Sequence, residues 1–129
     1  MPRDPLILIV DDTSDAREIF EQYLAFKGYR VLVAKSGAEA VATARASHPD
    51  LILMDIRMPE MTGTEAMKLR RRDRAHSKTR IVGLTAHALV DERAAALAAG
   101  FDEVITKPVD LDALVVAVQR LVSRTPETN

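Results

Sequence analysis

The chain has 129 residues, of which 47% are hydrophobic and 29% charged, with a formal net charge of −1 and no cysteine. These values are typical of one globular domain, and they exclude disulfides, thiolate metal sites and a strong overall positive charge that would attract nucleic acid. The sequence shows no signal peptide and no apolar run of membrane-spanning length. We therefore expect a cytoplasmic protein that contacts neither a membrane nor nucleic acid directly.

Five short apolar runs predict strands, at residues 6–10, 30–34, 51–54, 80–84 and 103–106. The segments between the strands have apolar residues at helical spacing. Two such stripes are clear: Ala16, Ile19, Phe20, Tyr23 and Leu24, then Leu111, Leu114, Val115, Val118 and Val122. Strands that alternate with helices predict an α/β fold, a doubly wound (βα)5 domain with a five-stranded parallel sheet and helices on both faces. We expect a single domain over residues 1–129, with a core from about 5 to 123 and a polar tail over 124–129.

Local signals mark where the helices begin and end. The segments 36–39 and 62–65 both match the capping box and predict helix starts. Gly28 and Gly100, each followed by an aromatic residue, have the pattern of helix C-termini. Asp110 is a plausible N-cap for the last helix.

Polar residues stand at the ends of four predicted strands. Asp11 and Asp12 follow the first strand and Asp55 the third, while Thr85 ends the fourth and Lys107 the fifth. Because the carboxyl ends of parallel strands lie at one edge of the sheet, we expect these five side chains to converge. Three clustered carboxylates repel one another unless a cation neutralises them, and an all-oxygen ligand set suits Mg²⁺. Together with an ammonium and a hydroxyl, this chemistry favours phosphoryl transfer, in which a carboxylate can be the nucleophile.

Four blocks of sequence resemble the signature of the receiver domain of two-component response regulators, in the family's order and spacing from about residue 6 to 122. They are Asp11-Asp12, Leu53-Met54-Asp55-Ile56-Arg57-Met58-Pro59, Leu84-Thr85-Ala86 and Ile105-Thr106-Lys107-Pro108. The resemblance implies the flavodoxin-like fold of CheY. It also implies a signalling switch that catalyses its own phosphorylation and dephosphorylation, rather than an enzyme in the usual sense.

The resemblance assigns a role to each acidic residue. Asp55 would accept a phosphoryl group from a phosphohistidine on a sensor histidine kinase or a histidine phosphotransfer protein. Asp12 would bind the Mg²⁺ cofactor directly and Asp11 mainly through water. Asp55 and the backbone carbonyl of Arg57 would complete the protein ligands.

The remaining signature residues would respond to phosphorylation. Lys107 would contact the phosphoryl group and Thr85 would move to hydrogen-bond it, while the peptide bond between Lys107 and Pro108 would be cis. A downstream protein would then bind the face made by the fourth predicted helix, the fifth strand and the fifth predicted helix.

Three further positions affect how such a switch would work in this chain. Val104 stands where the family usually has Tyr or Phe, so a rotating ring at that site cannot report activation. Arg57 and His87 occupy rim positions that tune the lifetime of the phosphoryl group in the family. From its length and charge, we expect Arg57 to shield the acyl phosphate from water.

Other functions remain open at this point. We expect a free-standing receiver, although a receiver fragment of a hybrid histidine kinase would look much the same, and residues 85–89 resemble such receivers. A phosphatase similar to haloacid dehalogenases would need a second Asp where Arg57 stands. A pseudo-receiver would not need the intact acidic cluster, and a dinucleotide-binding enzyme would need a glycine-rich loop after the first strand.

Overall fold

The structure is a computed structural model that describes residues 4–56, 79–86 and 90–123. Its strands are β1 (Leu6–Val10), β2 (Arg30–Ala34), β3 (Leu51–Asp55), β4 (Arg80–Thr85) and β5 (Glu103–Thr106). Its described helices are α1 (Ser14–Phe26), α2 (Gly37–Ser47), α3 (Val90–Ala99) and α4 (Leu111–Ser123). The helix predicted to begin near residue 62 lies outside the described residues, so α3 and α4 correspond to the fourth and fifth predicted helices.

All five strands are parallel and form one sheet in the order β2-β1-β3-β4-β5. This order confirms the predicted doubly wound fold. The chain winds outward in opposite directions from β1 and β3, so the switch point of the sheet lies between these two strands. Val10 pairs with Met54, which brings the carboxyl ends of β1 and β3 to the same level.

The core consists of two apolar layers, one on each face of the sheet. Every residue of β1 and β3 is buried, which explains why these strands show continuous apolar runs without polar alternation. Alternate residues such as Leu8 and Ile52 face one layer, whereas Ile9 and Leu53 face the other. Among the helices that the structure describes, none is long and apolar enough to cross a membrane.

The predicted helix ends are confirmed. After α1, Gly28 adopts a φ of 99°, and its N–H and that of Tyr29 donate to the carbonyls of Ala25 and Leu24, which is the Schellman arrangement. Gly100 ends α3 in the same way with a φ of 127°. A φ in this range favours glycine because it has no β-carbon.

The predicted helix starts are also found where the chain is described. Ser36 Oγ accepts a hydrogen bond from the N–H of Glu39, while the Glu39 carboxylate accepts one from the N–H of Lys35 rather than from that of Ser36. Asp110 caps α4 by accepting from the N–H of Asp112.

One part of the predicted α1 stripe is wrong. Phe20 and Leu24 are buried, but Ile19 is 52% exposed. It lies at the outer margin of the helix, where it lines a shallow groove with Tyr23, Phe26 and neighbouring side chains. Helical spacing places Ile19 beside the buried residues, but its side chain lines the groove between α1 and Leu111 of α4 instead of lying in the core.

Candidate functional site

The polar residues predicted to converge lie at the carboxyl edge of the sheet, around the switch point. Asp55 is the last residue of β3 and pairs with Leu84 of β4. Asp11 directly follows β1, and its N–H continues the pairing with β2 by donating to the carbonyl of Ala34 at 3.1 Å. The backbone pairing of β1 and β3 with their neighbouring strands therefore determines where both carboxylates stand.

Asp11, Asp12 and Asp55 form an acidic cluster in which one carboxylate oxygen from each residue lies within 4.8 Å of the others. Asp11 is fully buried and Asp55 is 6% exposed, whereas Asp12 faces solvent. Burying carboxylates this close together is costly unless a cation is present. The donor set contains only carboxylate oxygens, which fits a hard divalent cation such as Mg²⁺.

Lys107 supplies a cation to this cluster from the end of β5. Its Nζ atom lies 3.3 Å from Oδ2 of Asp11 and 3.4 Å from Oδ2 of Asp55. Its backbone N–H donates to the carbonyl of Thr85 at 2.7 Å, and the following peptide bond to Pro108 is cis, as predicted. Burial on its own would lower the pKa of Lys107, but the two carboxylates outweigh it and the net shift of the pKa is upward.

Asp11 is held at each of its polar groups. Its Oδ1 atom accepts from the N–H of Thr13 at 2.9 Å, while Oδ2 faces Lys107. Its backbone carbonyl accepts from Nη1 of Arg17 at 2.8 Å. The sequence prediction did not include Arg17. The sequence feature that could have indicated its role is a cation in the first turns of a helix, where the macrodipole disfavours positive charge.

Of the other four predicted residues, the structure describes two. Thr85 ends β4 and is buried at the same edge. Val104 is 2% exposed and belongs to the apolar layer that also contains Phe101 and Ala96. Arg57 and His87 lie outside the described residues.

The described contacts define an acidic, lysine-bridged site at the switch point of a doubly wound sheet. The family model for the response regulator receiver domain matches residues 7–119. The chain belongs to this family, whose members are signalling switches of two-component systems.

Individual relatives agree with the family. The chain is 40% identical to the regulatory protein AtoC of Escherichia coli over 115 residues, covering 88% of this chain and 24% of AtoC. It spans about half the length of other curated relatives, which are mycobacterial regulators. The chemotaxis protein CheY4 of Vibrio cholerae superposes with a TM-score of 0.87 at 31% identity, covering 92% of this chain and 98% of CheY4.

A second solved structure bears on the acidic cluster. The receiver domain of the sensor histidine kinase PA1611 from Pseudomonas aeruginosa, which has a magnesium ion in its active-site cleft, superposes with a TM-score of 0.86 at 32% identity. The match covers 93% of this chain and 98% of that domain. Receiver domains bind Mg²⁺ at an acidic site, and Asp11, Asp12 and Asp55 form an acidic cluster in this chain.

Proposed function

We propose that this protein is a phosphorylation-controlled switch in which Asp55 accepts a phosphoryl group from a phosphohistidine of a sensor histidine kinase or phosphotransfer protein. The observation that carries the proposal is the position of the Lys107 ammonium, 3.4 Å from Asp55 and 3.3 Å from Asp11, beside an acidic cluster at the switch point. We place the protein in the cytoplasm, where such donors present their phosphohistidines.

In the proposed reaction, a carboxylate oxygen of Asp55 forms a bond to phosphorus as the phosphorus–nitrogen bond of the donor breaks. The electron pair of that bond returns to the imidazole, which takes up a proton. Bound Mg²⁺ would neutralise charge on the carboxylates and the phosphoryl oxygens, held by Asp11, Asp12, Asp55 and the carbonyl of Arg57. Hydrolysis of the acyl phosphate by water returns Asp55 to its original state.

Lys107 and Thr85 would bind the phosphoryl group and so respond to its negative charge. In the unphosphorylated state the Lys107 ammonium bridges two carboxylates, so a phosphoryl oxygen on Asp55 offers it a stronger partner at nearly the same position. The Thr85 hydroxyl, at the end of the neighbouring strand, can donate to another phosphoryl oxygen. These new contacts would shift the equilibrium between two conformations of the carboxyl edge.

The shift would be transmitted to a protein partner on the face formed by α3, β5 and α4. Leu97 and Val116 are exposed on these helices and offer apolar contacts. Val104, which stands where an aromatic residue is usual, is buried under α3 and cannot swing outward as a ring would. Transmission would therefore proceed through Thr85 and the backbone of β4 and β5.

A receiver joined to a hybrid histidine kinase is the second candidate, favoured by the likeness to the PA1611 receiver domain. The chemistry at Asp55 is the same in both cases. The curated relatives are regulators longer than this chain. A receiver that is part of such a regulator and one that is part of a hybrid kinase would have different partners. Phosphotransfer assays with candidate kinases, comparing transfer rates, distinguish them.

The function is tested by incubating the purified protein with acetyl phosphate, with and without Mg²⁺, and measuring intact mass. We expect a gain of one phosphoryl group that requires Mg²⁺ and is lost in Asp55→Asn. The matched control is Asp50→Asn, because Asp50 lies at the opposite edge of the sheet, where its carboxylate accepts from the N–H of Leu6. No mass gain would indicate a pseudo-receiver, whereas repeated turnover of a soluble phosphate ester would indicate a phosphatase.

A further inference from the structure

We infer that Arg17 is a positioning residue for the metal site, which it serves by holding the peptide group between Asp11 and Asp12. This inference rests on the proposed function, because it concerns the Mg²⁺ site of the same switch. The contact that supports it is the 2.8 Å hydrogen bond from Nη1 of Arg17 to the carbonyl oxygen of Asp11.

The carbonyl of Asp11 and the N–H of Asp12 belong to one planar peptide unit. A hydrogen bond that fixes the direction of this carbonyl therefore also fixes the direction in which the chain enters Asp12. Asp11 has further anchors through Thr13 and Lys107, but Asp12 is exposed on the rim. The orientation of the Asp12 carboxylate depends on its backbone, and Arg17 restrains that backbone.

Arg17 itself is well anchored for this task. Its own N–H donates to the carbonyl of Thr13 at 3.1 Å, which is the first backbone hydrogen bond of α1, and its side chain is half-buried. The side chain thus runs from the first turns of the helix back to the end of β1. It joins the two elements that flank the acidic pair.

Charge and positioning make opposite predictions for the loss of Arg17. Removing a cation that contacts the backbone carbonyl of Asp11, beside the acidic cluster, would strengthen Mg²⁺ binding by reducing Coulomb repulsion. Releasing the peptide between Asp11 and Asp12 would weaken binding, because the ligand would no longer be held in place. Loss of a group that orients a metal ligand typically costs about tenfold in affinity or more. The sign of the change therefore separates the two effects.

The test is calorimetric titration of Mg²⁺ into the unphosphorylated protein. We expect Arg17→Met to bind Mg²⁺ about tenfold more weakly than the unsubstituted protein. We expect a smaller loss in Arg17→Lys, which keeps the charge and one donor but not the planar fork. The control is Arg45→Met, since Arg45 is an exposed arginine in the last turn of α2, which leads to the opposite edge of the sheet.

Urea unfolding without Mg²⁺ shows whether each variant is folded. If Arg17→Met does not fold, Arg17→Lys carries the test. Unchanged or tighter Mg²⁺ binding in the Arg17 variants, with normal binding in the unsubstituted protein, would overturn this inference alone. Absence of Mg²⁺ binding in the unsubstituted protein would instead overturn the proposed metal dependence, and the role of Arg17 with it.

Discussion

Ile56 packs directly onto the backbone of Gly83. A β-carbon built at position 83 would lie 2.8 Å from the Cδ1 atom of Ile56, and it would also lie 3.1 Å from Cδ1 of Phe101. Close packing, and not the backbone angles, therefore favours glycine at this position. Since Ile56 follows Asp55 in the chain and its N–H donates to Leu84, this contact supports the residue that we propose as phosphoacceptor.

We expect Gly83→Ala to lower the free energy of unfolding by about 1–2 kcal/mol, because the added methyl group overpacks the layer between β4 and α3. Urea denaturation measures the change. Ile56→Val removes the Cδ1 atom that the new methyl group would meet, so alanine at position 83 should cost less in that background. An equal cost in both backgrounds would show that the contact with Ile56 is not responsible.

Lys107 makes the free energy of unfolding depend on pH in the alkaline range. Its pKa in the folded protein is raised above 10.5, because attraction to Asp11 and Asp55 outweighs the effect of burial. Its stabilising contribution is therefore complete below pH 10.5 and is lost as the pH rises through the folded pKa.

We expect Lys107→Met to lower the free energy of unfolding near neutral pH, without Mg²⁺, by about 2 kcal/mol. This is less than the usual cost of breaking a fully buried ion pair, because the Lys107 side chain is 29% exposed. Urea titrations at a series of pH values should show the difference from the unsubstituted protein shrinking above pH 10.5. A constant difference would argue against this linkage.

The two tyrosines should titrate at higher pH in the folded protein than in the unfolded chain. The pKa of Tyr23 is raised above 10.0, first by its hydrogen bond to Asp112 at 2.7 Å and then by burial and nearby negative charge. The pKa of Tyr29 is raised by burial. Both contributions to stability are present below pH 10.0 and disappear as the pH rises through the folded values.

Ultraviolet titration of tyrosinate tests the cause of the Tyr23 shift. In a Tyr29→Phe background only Tyr23 contributes, and we expect Asp112→Asn to lower its pKa because the negative partner is gone. Glu21→Gln, an exposed change on the same helix as Tyr23, is the control. A Tyr23 pKa that does not respond to Asp112→Asn would contradict the assigned cause.

Asp102 completes the start of β4. Its carboxylate accepts from the N–H of Ile81 at 2.7 Å, and its own N–H donates to the carbonyl of Ile81 at 2.8 Å. Asp102→Ala removes the acceptor from a buried N–H, so we expect a loss of about 1–3 kcal/mol in the free energy of unfolding. Asp102→Asn should lose less, because its amide oxygen still accepts. Urea denaturation and hydrogen exchange of the Ile81 amide provide the two measurements.

If Asp55 is phosphorylated as proposed, Arg57 should lengthen the life of the acyl phosphate by shielding it from water. We expect phosphoryl loss to be several-fold faster in Arg57→Ala. Decay of the phosphorylated form, followed by intact mass after removal of the donor, gives the rate. An unchanged or slower decay would refute the shielding role.

Local patterns in the sequence were sufficient for the strands, the described helix ends and the edge of the sheet where the acidic residues meet. Continuous apolar runs mark strands that are buried on both faces, and Gly28 and Gly100 mark helix ends because few other residues tolerate a positive φ. The position of Asp55 at the end of β3 followed from the same reasoning, since all parallel strands end at one edge. These features depend on the residue itself or on its near neighbours.

Tertiary structure alone decided which side chains touch. The Lys107 ammonium meets Asp11 across 96 positions of the chain, and Arg17 reaches the carbonyl of Asp11 rather than a carboxylate. Asp102 pairs with Ile81 because β5 lies beside β4, and Ile19 is exposed although the next residue, Phe20, is buried. Such contacts depend on strand register and on how each helix lies over the sheet, and the spacing of apolar residues determines neither.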